Sequence, residues 1–215
     1  HLSGDPKLIK AFKTDQDIHR ATAAAINNVK LERVTSAMRR AAKAVNFGIL
    51  YGQGPHGLAL GTGLSYEQAK TFIDNYFKIY RQVKIYIDQT IIKAQADGYV
   101  ETLFRRRRYL NDINSSMAMA RKSAERMAIN TPLQGSAADM IKLAMIQIDN
   151  FLQKHYPAVK MILQVHDELV FELDKTLVST VAPALQKIMA NVIKLDVPIV
   201  VDCQAGKNWQ ELKAI

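Results

Sequence analysis

Residues 39–52 read Arg39-Arg-Ala-Ala-Lys43-Ala-Val-Asn-Phe47-Gly-Ile-Leu-Tyr51-Gly52, and this stretch decides how the chain folds. At about 100° per residue, Arg39, Lys43, Phe47 and Tyr51 fall within roughly 120° of one another on a helix, while Ala42, Val45 and Ile49 gather on the opposite side. Thr35 and Ser36 supply a start signal, and Gly52, Gly54 and Pro55 a stop. The spacing therefore predicts a two-faced helix with its apolar side on a core. Its outer strip carries two cations and two aromatic rings in line, chemistry that suits a triphosphate. A solvated amphipathic helix would show the same cations, but it has less reason to expose Phe47 and Tyr51.

The chain has 215 residues, 48% of them hydrophobic, enough to bury a core in one or two domains. A formal charge of +9 favours a polyanionic partner, nucleic acid ahead of an anionic membrane, because no basic amphipathic anchor stands apart from the fold. Cys203 is the single cysteine, which excludes an internal disulfide and a cysteine-rich metal site and fits a reducing compartment. No apolar run approaches the ~18 residues of a membrane span, and no signal peptide is visible. A cytoplasmic protein with no membrane partner is the expectation. The opening His1-Leu-Ser-Gly-Asp lacks an initiator Met and reads as the tail of an element, so a fragment is expected.

Helical patterns cover residues 15–28, 35–51 and 65–96, with a Gly-rich connection at 52–63 and a stop at Asp97-Gly98. A short β-like segment at 99–113 carries Arg105-Arg-Arg-Arg108. A long helical stretch follows from 115 to about 154, in which Pro132 predicts a kink or break. The last third turns to strands at 161–165 and 169–173, a helix at 176–194 and a strand at 197–202. No repeat or flexible linker interrupts the chain.

His166-Asp167-Glu168 lies between the two apolar strands. Two adjacent carboxylates on a rigid turn are hard oxygen ligands of the kind Mg²⁺ takes. A polar hairpin tip has the same composition, since turns favour Asp. One His with two carboxylates is a poor match to zinc.

These residues, taken in order, resemble family A DNA polymerases. The resemblance runs from end to end: Leu2-Ser-Gly-Asp5, Asp17-Ile-His-Arg-Ala-Thr-Ala23, the Arg39–Gly52 helix, Gly98-Tyr-Val-Glu-Thr-Leu103, Ala128-Ile-Asn-Thr-Pro-Leu-Gln-Gly135 and Gln164-Val-His-Asp-Glu168. It implies an α+β fold, in which a mostly helical fingers subdomain at 1–130, its first residues the tail of a palm element, is followed by part of an antiparallel-sheet palm with flanking helices at 131–215. It also implies template-directed DNA synthesis, in which a primer 3′-hydroxyl attacks the α-phosphorus of a dNTP and pyrophosphate leaves, with two Mg²⁺ ions per complete site.

By the same resemblance, Arg39, Lys43 and His19 bind the triphosphate, and Lys43 can also give a proton to pyrophosphate. Phe47 lies against the sugar and base, and Tyr51 occupies the template insertion position. Asp167 ligates metal, with Glu168 beside it at the primer terminus. Arg40, Arg126, Asn130, Gln134 and His166 contact primer–template DNA. Of these, Arg126, Asn130 and Gln134 are four residues apart and suit minor-groove acceptors common to every Watson–Crick pair.

The family's second metal-binding Asp belongs to a segment called motif A, which would lie upstream of His1, as would the thumb. The missing N-terminal part of the polymerase is thus an expected partner, and the isolated chain is expected to be inactive. The resemblance also departs in two places, Arg105 and Asn111, where the family usually has Gly and Pro. Tighter contact with nucleic-acid backbone and a merely solvated loop both fit the extra cation. A non-catalytic DNA-binding module derived from a polymerase is the alternative function, and a single-subunit RNA polymerase a more distant one.

Overall fold

A computed structural model describes residues 1–215, the side chain of Leu50 apart. The chain divides into two compact units, His1–Gly135 and Ser136–Ile215.

The first unit begins with α1 (Pro6–Lys13) and α2 (Ile18–Asn27), each started by an aspartate whose carboxylate accepts backbone N–H groups of the first turn. Next comes α3 (Ser36–Leu50), capped by the Thr35 hydroxyl. Ala42 and Val45 are wholly buried and Ile49 nearly so, as the spacing predicted. The Gly-rich connection is not a loop: Pro55–Thr62 form α4. Pro55 sits in the first turn, where its missing N–H costs nothing, and Gly63 closes the helix in the left-handed region at φ 74°. Leu58 anchors α4 in a core with Val45, Ile49, Ala69, Tyr76, Tyr80 and Val83.

The single helix expected over 65–96 is two, α5 (Tyr66–Ile79) and α6 (Arg81–Asp97). Tyr80 leaves helical geometry between them at φ −109°, ψ 64°. Its ring is buried 4.9 Å from that of Tyr76, and its hydroxyl meets the Thr22 hydroxyl at 3.0 Å. Buried Asp5 holds the break from the other side: one carboxylate oxygen caps α1, and the other accepts from the Gln82 N–H at 3.3 Å. Tertiary contacts here outweigh a continuous helical pattern.

Strands β1 (Tyr99–Glu101) and β2 (Arg107–Tyr109) pair antiparallel, and α7 (Ala118–His155) follows. Pro132 lies inside α7 without ending it. An interior Pro costs about 3 kcal/mol, and burial of Ala124, Ala128 and Ile129 on the same helix offsets that loss.

In the second unit, β3 (Lys160–Val165) and β4 (Glu168–Glu172) form an antiparallel hairpin with an irregularity between Met161 and Leu163. With α8 (Val178–Ala190) they enclose Ile148, Leu152, Val159, Val181 and Leu185. Full burial of Ile148 and Val181 contributes about 1.5–3 kcal/mol each. The strand expected over 197–202 is absent: those residues are irregular, with Val200 77% exposed, and pairing occurs instead between β5 (Gln204–Ala205) and β6 (Lys213–Ala214).

Gly135 is required by packing in the first unit. A Cβ there would lie 2.6 Å from the Thr102 methyl, and Thr102 cannot turn aside cheaply because its hydroxyl accepts from the N–H groups of Phe104 and Arg106, each at 3.2 Å. Overpacking costs about 1–3 kcal/mol and Ala returns about 1 kcal/mol of helix propensity. Gly135→Ala should therefore lower Tm by a few degrees in a thermal melt, and an unchanged Tm would show that the turn at Thr102 yields freely.

Candidate functional site

The outer strip of α3 exists because its inner face is committed. With Ala42, Val45, Asn46 and Ile49 buried, Arg39, Arg40, Lys43, Phe47 and Tyr51 are left exposed. The Phe47 and Tyr51 rings stand 6.5 Å apart and nearly parallel, 12° between planes. The Lys43 ammonium lies 5.9 Å from the Phe47 centroid. From α2, the His19 ring comes within 5.7 Å of Phe47. The structure thus brings together five sequence-predicted residues, His19, Arg39, Lys43, Phe47 and Tyr51.

Three residues whose part the sequence reading did not assign hold this group in place. Asp17 caps α2 with one oxygen, accepting from the His19 and Arg20 N–H groups, and its other oxygen accepts from the Arg39 Nε at 2.6 Å. The Arg39 guanidinium bond is the main reason the Asp17 carboxyl titrates below its ordinary value. Asn46 Nδ2 meets His19 Nδ1 at 2.9 Å and donates to the Thr22 hydroxyl at 3.4 Å, while its buried Oδ1 has no partner. The signal for Asp17 was available in sequence, as an Asp one residue before an apolar-periodic run. Asn46 and Thr22 gave none, because a buried amide and a buried hydroxyl look like ordinary solvent-facing groups until the helices are paired.

Burial is the largest influence on His19 and lowers its pKa; Asp17 pulls the other way, and Arg39 and Lys43 add to the lowering. The imidazole is therefore neutral near pH 7, a hydrogen-bond donor or acceptor but not a third cation.

Gly52 closes α3 at φ 66°, and a Cβ there would approach the Arg126 Cγ to 3.0 Å. Arg126, Asn130 and Gln134 follow at four-residue spacing on α7, Arg126 and Gln134 exposed and Asn130 half-buried with an unpartnered Oδ1. Two of these three polar side chains are thus open to solvent, and the third carries an unsatisfied oxygen.

In the second unit the hairpin tip is where the sequence put it. His166 and Asp167 form the turn between paired Val165 and Glu168, and all three of His166, Asp167 and Glu168 are exposed. His166 adopts φ 52°, the left-handed region in which His, like Asn and Asp, is enriched among non-glycine residues, and its carbonyl accepts from Gln164 Nε2 at 2.7 Å. No group of three or more His, Cys, Asp or Glu side chains that could hold a metal ion occurs among the described residues. No helix of the described residues is long and apolar enough to cross a membrane.

Residues 1–211 match the model of DNA polymerase family A. The chain belongs to that family. It is 47% identical over 211 residues to DNA polymerase I of Pseudomonas aeruginosa, covering 98% of this chain and 23% of that protein. DNA polymerase I of Bacillus subtilis is 44% identical over 213 residues, with 99% of this chain and 24% of the relative covered. This family A chain thus spans about a quarter of the length of the curated relatives it matches. Its fold superposes with a TM-score of 0.87 and 40% identity on the POL domain of Pol1 from M. smegmatis, in complex with DNA primer-template and dNTP, over 92% of this chain and 35% of that one.

The His19 environment has a pH consequence. A folded-state pKa below the ordinary 6.5 means the folded chain binds fewer protons than the unfolded one in that window, so the stability is present above pH 6.5 and is lost as pH falls through it towards the folded value. His19 should titrate below 6.5 by NMR, and Asn46→Asp, which sets a carboxylate beside Nδ1, should move the midpoint up. A midpoint at or above 6.5 in the unaltered chain would mean that Asp17, not burial, governs the ring.

Proposed function

We propose that this chain is the fingers, together with part of the palm, of a longer template-directed DNA polymerase, the first unit serving as fingers and the second as palm. The observation that carries this reading is the exposed line of Arg39, Lys43, Phe47 and Tyr51 on a helix whose other face is buried. The reaction is attack of a primer 3′-oxygen on the α-phosphorus of a dNTP with loss of pyrophosphate. Negative charge builds on the departing phosphates. Arg39 and Lys43 neutralise it from fixed positions, which needs no rearrangement at the moment of reaction. Lys43 can also hand a proton to the pyrophosphate oxygen.

His19, neutral, adds a hydrogen bond to the same phosphates. Arg39 is tied to Asp17 through Nε alone, which leaves its terminal nitrogens for phosphate. An exposed ion pair of this kind contributes about 0–1 kcal/mol, so a polyphosphate can compete for the guanidinium. Phe47 packs against sugar and base, and Tyr51 fills the template position until a nucleotide arrives. Stacking contacts of this sort tolerate all four bases.

Asp167 and Glu168 offer exposed carboxylate oxygens on a rigid turn, a donor set that suits Mg²⁺ but supplies only part of its shell. The rest of the shell is left to oxygens that these two residues do not supply. When bound, the two ions stabilise the entering and leaving oxygens. Arg126, Asn130 and Gln134, with Arg40 and His166, hold the primer–template: the first three offer donors to groove acceptors, through the Arg126 guanidinium and the Asn130 and Gln134 amide nitrogens.

Two substitutions in the full-length polymerase test the reading. Lys43→Ala should reduce single-turnover incorporation by about a hundredfold, on the scale of losing one charge-stabilising donor, with DNA affinity and its salt dependence unchanged. A steep loss of DNA affinity with normal incorporation would reassign Lys43 to the duplex. Asp167→Ala should abolish turnover and leave DNA binding intact. Retention of even a tenth of the rate, a cost of only about 1.4 kcal/mol, would remove Asp167 from the metal site and favour a non-catalytic DNA-binding module.

A further inference from the structure

Arg105-Arg-Arg-Arg108 takes no part in the reaction just described, yet all four side chains are exposed, Arg105 and Arg106 at the turn between β1 and β2 and Arg107 and Arg108 on β2. The turn is rigid. Arg105 N–H donates to the Thr102 carbonyl and Thr102 N–H to the Arg106 carbonyl, both at 3.0 Å, and the Thr102 hydroxyl takes two further N–H groups. Arg105 itself sits at φ 62°, where a Cβ is sterically disfavoured and Gly would be at ease. Its guanidinium has no hydrogen-bond or ion-pair partner among the described residues. A strained backbone position occupied by an unpaired cation calls for a use outside the fold.

The neighbours indicate what that use is. Arg107 bonds Glu101 at 2.9 Å and lies 4.4 Å over the Tyr99 ring, and Tyr99 meets Tyr109 edge-on at 5.8 Å. Tyr109 is thereby braced while remaining 68% exposed. Arg108 Nη2 reaches Met127 Sδ at 3.3 Å, one residue from Arg126, which lies beneath Gly52 at the Tyr51 end of the α3 strip. The hairpin is therefore continuous with the end of the strip assigned to the template and not with the phosphate-binding end at Arg39.

We propose that the β1–β2 hairpin is a second nucleic-acid site, which holds unpaired template strand: Arg105 and Arg108 contact phosphates, and Tyr109 is a platform for a base. The partner is single-stranded because a stacking ring needs a base with a free face; a clamp on duplex backbone would need only the cations. Its identity as template rests on the DNA-synthesis reading, but the site itself does not.

The test is equilibrium binding by the full-length polymerase to a primer–template with about ten unpaired template nucleotides, and to a blunt duplex of the same paired length. Arg105→Gly should weaken binding to the overhang substrate. The affinity gained on lowering salt from about 200 to about 50 mM should shrink roughly 2.5-fold, as expected when one phosphate of a single strand is no longer neutralised by the protein. Blunt-duplex binding should not change. Tm should hold or rise, since glycine relieves the strained position, so weaker binding cannot be a folding defect. Arg105→Lys should keep the affinity, and Tyr109→Ala should lower it on the overhang substrate alone. Unchanged overhang binding in Arg105→Gly and Tyr109→Ala, equal losses on both substrates, or a fall in Tm with Arg105→Gly would each overturn the proposal. Failure of the synthesis reading would appear separately, as normal incorporation by the Lys43→Ala polymerase.

Discussion

Everything at the candidate nucleotide site follows from which way α3 is rotated, and that rotation is set by burial. Ala42, Val45 and Ile49 are at or near zero exposure against the cores formed with α2, α4 and α5. Turning the helix by one residue would expose two β-branched side chains, at about 1.5–3 kcal/mol each, and drive Lys43 or Phe47 inward. No surface interaction of the strip approaches that sum. The cations and rings are held in line by residues that never touch a ligand.

Rotation alone would leave α2 free to slide, and polar contacts remove that freedom. His19, Asn46, Thr22 and Tyr80 form a chain of hydrogen bonds from the exposed strip to the break between α5 and α6. A buried polar group without a partner costs about 1–3 kcal/mol, so the chain punishes misalignment more than it rewards alignment. The same chain sets the chemistry of His19. Burial beside Asn46 keeps the imidazole neutral, and charge at the site comes from Arg39 and Lys43, which stand farther out in solvent. Asp17 complements this by holding the Arg39 guanidinium at one edge, in a bond weak enough to be shared.

The helical strip and the acidic hairpin were legible in the sequence because each is written in local periodicity: spacing near 3.6 in α3, and alternation into a polar turn for β3 and β4. The failures have a common form. Glycines at 57 and 61 masked α4, although Pro55 and Gly63 mark its two ends correctly. The 65–96 pattern hid a break that depends on Asp5 and Thr22, residues more than fifty positions away. Pro132 suggested a kink or a break, and long-range packing carries the helix through it, while the apolar run at 197–201 had the composition of a strand but found no partner strand. In each case the deciding atoms come from another element, which periodicity cannot see. The same holds for Asn46, whose importance depends on a histidine from the neighbouring helix.

Backbone strain separates turns that merely connect from turns that present chemistry. Four non-glycine residues among those described have positive φ: Asp15, Asn28, Arg105 and His166. Asn and Asp tolerate this region well, and Asn28 closes α2 in the ordinary left-handed cap. His166 belongs to the residue types enriched there, whereas Arg105 does not, and both stand at the turns of exposed hairpins beside further charged groups. A chain selected only for stability would place Gly at the Arg105 turn. Carrying a Cβ at Arg105 in this region costs about 1–2 kcal/mol. The Arg105 turn is thus where this fold gives up stability for a side chain that its own packing does not use.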